Sequence, residues 1–232
     1  MESINEKAGT GRRAFLGSIA TGVAAISMAG IVSPLQTIAN ETEKQYLDDA
    51  DAWFNKVKGK HKIVFDVTRP HETMPFAWPR VFLMTNELTG TKSDDTGVVV
   101  ILRHDSIPYA LEDKLWAKYK FGELFKADDP LTKAPAVRNP FSKPKAGDYK
   151  VPGIGPVNIG INELQQSGVM FCVCNVALTV YSAVAADMMN MKQQDVYNEW
   201  KAGILPGIQV VPSGVWAVGR AQEKGCAYCF AG

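Results

Sequence analysis

The sequence predicts an α/β domain in which helices cover a parallel β-sheet. Short apolar runs alternate with longer segments of helical periodicity from about residue 44 onward. One run, "TGVVVILRH" at 96–104, is β-branched and unbroken, which is typical of a strand buried on both faces of a parallel sheet. Short right-handed crossovers make successive strands parallel. The residues that follow each strand then lie together at the carboxyl edge of the sheet. Candidate functional residues are therefore expected at that edge.

The first half of the chain predicts two strands, each followed by a helix. A helix that begins near Pro79 and stops at Gly90 is predicted, because proline is accepted in a first turn and glycine follows many helix ends. The predicted elements are an amphipathic helix at 44–57, a strand at 61–68, a helix at 79–90, a strand at 96–104 and a helix at 107–125.

The second half opens with a proline-rich stretch at 126–158 that has no apolar period and predicts a long loop inserted in the domain. Loops of this length usually cover a functional site, contact another subunit or are disordered, and a cover or subunit contact is favoured here. The predicted elements that follow are a short helix ending at Gly168, a strand at 169–174, helices at 177–191 and 193–203, a strand at 208–214, a helix at 215–225 and a last strand at 226–230.

Residues 1–39 predict a twin-arginine export signal that precedes a single domain at 40–232. Arg12 and Arg13 are adjacent and are followed by a weakly apolar stretch rich in alanine and glycine. Small residues near Ala39 are suitable for cleavage, and retention of the segment as a membrane anchor is the alternative. The sequence therefore predicts a periplasmic protein, in a compartment that oxidises thiols.

Composition excludes several classes of function. The formal net charge is +1 and the chain is 46% hydrophobic, so there is no electrostatic signature of nucleic-acid binding. Gly153 and Gly155 lie in the proline-rich stretch with no strand before them, and they do not form a dinucleotide-binding loop. We expect small molecules or protein partners and no nucleic acid.

The four cysteines form two close pairs. Cys172 and Cys174 are two residues apart on a predicted strand, which puts both side chains on one face with Cβ atoms roughly 6 to 7 Å apart. A disulfide needs about 3.8 Å, so this pair suits a soft metal better than a disulfide. Cys226 and Cys229 have the spacing used by redox dithiols and by half of a zinc site, and they close locally if the last strand loosens at Cys229.

Two stretches, "GVMFCVCNVAL" and "LPGIQVVPSGVWAVGRAQEKGCAYCFAG", resemble the DsrE/DsrF-like proteins, and "VVVILRHDSIPYAL" is similar to the second strand and the histidine-bearing loop of that family. The resemblance covers roughly residues 60–232 apart from the proline-rich insertion. It implies a three-layer α/β/α fold around a five-stranded parallel sheet, with the last strand beside the first. It also implies assembly into homo-oligomers and a cysteine that accepts sulfur as a persulfide.

The resemblance places Cys174, in "VCN", at the reactive cysteine position and His104 at the histidine that follows the second strand. Cys172, Cys226 and Cys229 are departures from the family pattern. From the residues themselves, a strand-to-helix junction is suitable for a reactive thiol because a helix N-terminus stabilises negative charge. A histidine at a strand end is able to deprotonate a thiol or to ligate a metal.

Three hypotheses follow for the function. In the first, Cys174 carries sulfur that it exchanges with small sulfur species or a thiol protein partner, His104 assists, and Cys172, Cys226 and Cys229 resolve or relay it. In the second, these four cysteines and His104 bind copper or zinc, since both metals accept thiolate and imidazole ligands. In the third, the cysteines are structural staples in a non-catalytic, oligomeric binding or assembly protein.

Two arginines are further candidates for the site. Arg103 follows the second predicted strand, and Arg220 lies in the last predicted helix. Either guanidinium is suitable for an oxyanion of sulfur, but arginines near strand ends commonly form structural ion pairs, and that interpretation is favoured here.

Overall fold

The computed structural model describes residues 41–232, with side chains from Asp48 onward. The predicted export signal at 1–39 and its cleavage near Ala39 lie outside the described residues. The chain divides into two units, residues 1–46 and 47–232, and the description below concerns the second. Within the described residues, no helix has both the length and the apolar character needed to cross a membrane.

Helices and strands alternate along the chain. Two 3-10 helices, Ser93–Asp95 and His104–Ala110, precede and follow the second strand. In chain order the other elements are α1 (Glu41–Phe54), β1 (His61–Val67), α2 (Met74–Leu88), β2 (Thr96–Leu102), α3 (Asp113–Tyr119), α4 (Phe121–Leu124), β3 (Lys150–Val151), β4 (Gly155–Pro156), α5 (Ile161–Gln166), β5 (Met170–Cys174), α6 (Asn175–Met189), α7 (Gln193–Ala202), β6 (Ile208–Val211), α8 (Gly214–Glu223) and β7 (Ala227–Phe230).

The predicted three-layer α/β/α fold is confirmed. Five parallel strands form one sheet in the order β6-β5-β2-β1-β7, so the last strand lies beside the first. The central strand β2 is buried along nearly its whole length, as its unbroken apolar run predicts. Because all five strands run in the same direction, their carboxyl ends meet at one edge of the sheet.

The two faces of the sheet carry hydrophobic cores of different size. One is a small core made with α1 and α8; its helix residues include Ala50, Trp53, Phe54, Ala217 and Ala221. The other is a large core that all the helices from α2 to α7 contribute to; its largest fully buried side chains include Phe76, Tyr109, Trp116, Phe121, Phe141, Phe171 and Trp200. Most of the buried apolar area therefore lies on the α2–α7 side.

Two predicted helix boundaries are wrong. Helix α2 begins at Met74, five residues before Pro79, because Pro75 occupies its first turn and Phe76 is buried in the core. Pro79 lies inside the helix, where the missing N–H forfeits one hydrogen bond near the first turn. The predicted helix at 107–125 is divided into a 3-10 helix, α3 and α4, and Lys120 has a left-handed backbone with φ 50° at the last break.

The proline-rich insertion at 126–158 contains little regular structure beyond the two-residue strands β3 and β4. Its aromatic side chains are nevertheless part of the large core. Phe141 is fully buried and stacks on Phe76 of α2 with ring centroids 4.2 Å apart, and Tyr149 stacks on Phe141 at 5.2 Å. The insertion is therefore integrated into the fold by packing rather than by backbone pairing.

Candidate functional site

The carboxyl edge of the sheet brings Arg103 and Cys174 next to each other. Strands β2 and β5 pair with Leu102 opposite Val173, so the residues that follow them are neighbours. Arg103 continues the extended backbone of β2. Adjacent strands are about 5 Å apart, and the backbones at Arg103 and Cys174 are separated by roughly that distance.

Cys174 is the last residue of β5 and caps the N-terminus of α6. Its Sγ accepts a hydrogen bond from the Ala177 N–H at 3.3 Å. The residue is 6% exposed and contacts the large core. The N-terminus of α6 directs its partial positive charge at this sulfur, which is a feature of the sites that reactive cysteines occupy.

The start of α8 lies beside the start of α6. The Val176 N–H donates to the Pro212 carbonyl at 3.3 Å, and Ser213 caps α8 by accepting a hydrogen bond from the Trp216 N–H at 3.2 Å. Gly214 is required here, because a Cβ at that position would lie 2.5 Å from the Arg103 Cβ. Two helix N-termini and one arginine stem therefore meet beside Cys174.

Arg103 is held by a buried carboxylate. Its Nε and Nη2 donate to the two oxygens of Asp66 at 2.6 and 2.8 Å, and the Tyr228 hydroxyl donates to Asp66 Oδ2 at 2.8 Å. The hydrogen bond to Asp66 is the main cause of a raised Arg103 pKa, and the charge of Cys174 is a lesser cause. The structural ion pair favoured by the sequence is present, and its guanidinium lies within electrostatic reach of Cys174.

Arg220 also forms structural ion pairs, with Asp51 at 2.7 Å and Glu223 at 2.9 Å. Its ion pair with Asp51 joins α8 to α1, and no hydrogen bond or ion pair joins it to Cys174 among the described residues. The structure therefore places only one of the two candidate arginines at the carboxyl edge of the sheet.

His104 follows Arg103 and begins the 3-10 helix at that edge. Its side chain is 62% exposed, and its Nδ1 lies 3.1 Å from Asp105 Oδ1. Asp105 also accepts a hydrogen bond from the Tyr181 hydroxyl of α6. Within the described residues no hydrogen bond joins His104 to Cys174, so the two predicted catalytic residues share an edge without direct contact.

All four cysteines are free thiols. Cys172 is fully buried in the small core, whereas Cys174 contacts the large core, because the strand alternation that predicts a shared face ends where α6 begins. Burial, and to a lesser extent the charge of Cys174, raises the pKa of Cys172 well above its ordinary value. Cys172 is therefore a poor nucleophile in the folded protein.

The second pair is also separated. Cys226 is buried in the small core, and Cys229 is half-buried and packs against the large core on the other face of the sheet. Cys229 lies within β7 rather than in a loosened end, so the local bridge between the two does not form. Burial raises the pKa of both thiols.

The two pairs lie on different strands. β2 and β1 separate β5 from β7, which puts Cys172 and Cys174 about 14 Å from Cys226 and Cys229 at the usual strand spacing. Among the side chains that the structure describes, at 48–232, no group of three or more histidine, cysteine or acidic residues is arranged to hold a metal ion. The residues named for copper or zinc are therefore dispersed within one subunit.

Alkaline pH is expected to destabilise this fold. Burial raises the pKa of Cys172 above its ordinary value of 9.0, and that of Tyr109 and Tyr149 above 10.0. Because the unfolded chain ionises first, this contribution to stability is fully present below about pH 9 and is lost as the pH rises toward the folded-state pKa values. Urea unfolding should give a constant free energy of unfolding up to about pH 9 and a falling one above it.

The cysteine contribution is separable from that of the tyrosines. Between about pH 9 and 10, Cys172→Ala should show a shallower fall in the free energy of unfolding than the parent chain. Val99→Ala removes a fully buried side chain from the same core without removing an ionisable group, and it should keep the parent slope. An unchanged slope in Cys172→Ala would show that this thiol does not govern the alkaline transition.

Sequence reasoning missed three residues of this edge. Asp66 has a sequence signal, since it is the lone carboxylate of β1 and interrupts the apolar run at 63–67. Tyr181 and Tyr228 come from α6 and β7, and no local pattern connects them to the carboxylates that they contact. The three side chains supply the hydrogen bonds that fix Arg103 and Asp105.

Two surface clefts open at the opposite, amino-terminal edge of the sheet. One is lined by residues that include Trp53, Gln165 and Met170, and the other by residues that include Lys58, Asp94 and Met170. Neither cleft contains Cys174 or His104. The clefts and the candidate catalytic residues are therefore on different sides of the molecule.

Comparisons with known proteins do not assign this chain to a family. No family model matches the chain, and no curated protein matches it. A solved structure, the protein of unknown function MTH1491 from Methanobacterium thermoautotrophicum, is similar at 19% identity and a TM-score of 0.34, over 73% of this chain and 98% of its own. What is shown for this chain is a three-layer α/β/α domain with a five-stranded parallel sheet in the order β6-β5-β2-β1-β7.

Proposed function

We propose that this protein is an exported sulfur carrier of the DsrE/DsrF-like kind that holds sulfur as a persulfide on Cys174. The observation that carries the proposal is the Cys174 Sγ at the start of α6, where it accepts the Ala177 N–H and lies beside Arg103. Both neighbours direct positive charge at the sulfur. The other three thiols have pKa values raised by burial, which favours their neutral forms.

The proposed loading step is a transfer of sulfane sulfur. The Cys174 thiolate attacks the outer sulfur of a donor such as thiosulfate, the sulfur–sulfur bond of the donor breaks, and sulfite leaves with the bonding electrons. The product is the Cys174 persulfide, and no other oxidant or reductant is consumed. The negative charge is on the Cys174 sulfur before the step and on its persulfide after it. Arg103 and the N-termini of α6 and α8 lie at the same edge of the sheet and stabilise the charge in both states.

The size of the donor follows from the exposure of the thiol. Cys174 is only 6% exposed, whereas Val176 and Val215, at the starts of α6 and α8, are 38% and 67% exposed. A small sulfur species reaches a recessed sulfur more readily than a bulky one does, and the exposed valines are an apolar surface on which a thiol protein partner makes contact. Assembly into a homo-oligomer stays a prediction of the resemblance and is not needed for the loading step.

Intact mass spectrometry of the anaerobically purified mature protein tests the proposal. After incubation with thiosulfate and removal of the excess, the parent chain should gain the mass of one sulfur atom. Cys174→Ser should gain none, and Cys229→Ser, which removes the most exposed of the other thiols, should gain the same mass as the parent. An adduct that persists in Cys174→Ser, or a parent chain that gains none, would overturn it.

The same sample tests the metal-binding alternative. Copper or zinc in a stoichiometric amount, found by elemental analysis of the mature protein, would favour the metal hypothesis. The ligands would then have to come from more than one subunit, because the two cysteine pairs are far apart within one subunit.

A further inference from the structure

The turn that carries His104 is fixed by the neighbouring strand. His104 has φ 53°, in the left-handed region that few residues other than glycine adopt. The residues on either side are tied to the end of β1, since the Arg103 N–H donates to the Val67 carbonyl at 3.0 Å and the Asp105 N–H to the Thr68 carbonyl at 2.9 Å. The backbone therefore presents this imidazole in one direction.

The imidazole ring is fixed as well. Asp105 Oδ1 lies 3.1 Å from His104 Nδ1. A carboxylate oxygen has only lone pairs to present, so it repels an unprotonated Nδ1 at this distance and favours the proton on Nδ1. Tyr181 donates its hydroxyl to the same oxygen and packs its ring edge-on to the His104 ring at 5.9 Å. Tyr181 in turn packs on Phe125 of the large core at 4.9 Å. The chain of contacts from the core to the imidazole leaves Nε2 as an exposed acceptor.

We infer that Asp105 and Tyr181 are positioning residues, which hold His104 as its Nδ1–H tautomer so that Nε2 serves as the base for the thiol that removes sulfur from Cys174. Ion pairs as exposed as the one between His104 and Asp105 contribute little to stability, so stability does not account for the arrangement. The use of Nε2 in sulfur transfer rests on the proposed function. The Nδ1–H assignment is inferred from the contact between His104 and Asp105 and does not depend on that function.

The position of His104 explains why it acts on the acceptor. It follows the end of β2, the strand next to the one that Cys174 ends. Tyr181, the ring partner of His104, is seven residues beyond Cys174, which is about 10 Å along α6. A base at that distance is suitable for a second thiol that approaches the Cys174 persulfide, rather than for Cys174 itself.

The proposed unloading step balances without a further reagent. The acceptor thiol gives its proton to Nε2, and the resulting thiolate attacks the outer sulfur of the Cys174 persulfide. A sulfur–sulfur bond forms to the acceptor, the bond to Cys174 breaks, and its electron pair leaves on the Cys174 thiolate. The imidazolium then returns its proton to water. The acceptor becomes a persulfide, and Cys174 is regenerated.

The tautomer is tested by nitrogen NMR of histidine-labelled full-length protein at a pH where the imidazole is neutral. His104 should give the signals of the Nδ1–H form. Asp105→Asn should shift His104 toward the Nε2–H form, because the asparagine amide donates to Nδ1, and Tyr181→Phe should shift it in the same direction by less. Tyr119→Phe, which loses a comparable bond to Glu199 away from this edge, should leave the signals unchanged. A His104 in the Nε2–H form in the parent chain would overturn the inference.

The catalytic role is tested by the rate at which a small thiol such as dithiothreitol removes sulfur from the preloaded persulfide. His104→Ala should lower this rate roughly 100-fold, Asp105→Asn roughly tenfold, and Tyr119→Phe should match the parent. Equal rates in the parent and His104→Ala would overturn the role while the measured tautomer stands. If the parent chain accepts no sulfur from thiosulfate, the proposed function is wrong. The NMR signals still test whether Asp105 and Tyr181 position His104.

Discussion

Replacing Arg103 with methionine is expected to lower the free energy of unfolding by about 3 to 5 kcal/mol. The Asp66 side chain is only 2% exposed, and Arg103 supplies two of the three side-chain hydrogen bonds that its oxygens accept. Without the guanidinium, a buried carboxylate keeps only the Tyr228 hydroxyl. Methionine keeps the apolar contact with Gly214. The loss of stability therefore measures the unpaired charge of Asp66 rather than a change in side-chain packing.

The matched variant is Asp66→Asn, which should cost less than Arg103→Met. Arg103 is 25% exposed, so water reaches its guanidinium once the carboxylate is gone, whereas water does not reach Asp66. The double variant should be more stable than Arg103→Met alone, because it leaves no unpaired buried charge. Urea unfolding of the three variants at neutral pH measures these differences. A larger loss for Asp66→Asn than for Arg103→Met would contradict this account of the pair.

The sheet was predictable because its signals are local. Each of the five strands contains a short cluster of apolar residues, and the central run in β2 is continuous because both of its faces are covered. The start of α2 was not predictable in the same way. Pro75 and Pro79 are both acceptable near a helix start, and the burial of Phe76 against the distant Phe141 decides between them.

The candidate site was predictable only in part, for the same reason. Cys174 is found from the sequence because a strand-to-helix junction is a local pattern, and His104 because it ends a strand. The partners that fix their surroundings come from distant segments: Tyr228 reaches Asp66 across 162 positions, and Tyr181 reaches Asp105 across 76. Such contacts depend on strand order, which the residues alone do not determine.

The proline-rich insertion at 126–158 shows how tertiary packing replaces local pattern. Asn139 is 1% exposed and uses its side-chain amide to bond to the carbonyls of Tyr109 and Leu111 at 2.8 and 2.9 Å, while its Oδ1 accepts from the Phe141 N–H at 3.1 Å. These bonds satisfy buried backbone groups that have no helix or strand partner. They also bring Phe141 to the core, which makes the insertion a structural part of the domain.

Phe141→Ala is therefore expected to lower the free energy of unfolding by about 3 to 5 kcal/mol, as is usual for a fully buried aromatic side chain. Val137→Ala is the control in the same insertion, because Val137 is 74% exposed, and it should change stability by less than about 0.5 kcal/mol. Urea unfolding monitored by circular dichroism measures both. If the insertion were only a cover, the two variants would have equal stability and Phe141→Ala would remain as stable as the parent. A large loss with a single cooperative transition would show that the insertion and the sheet unfold together.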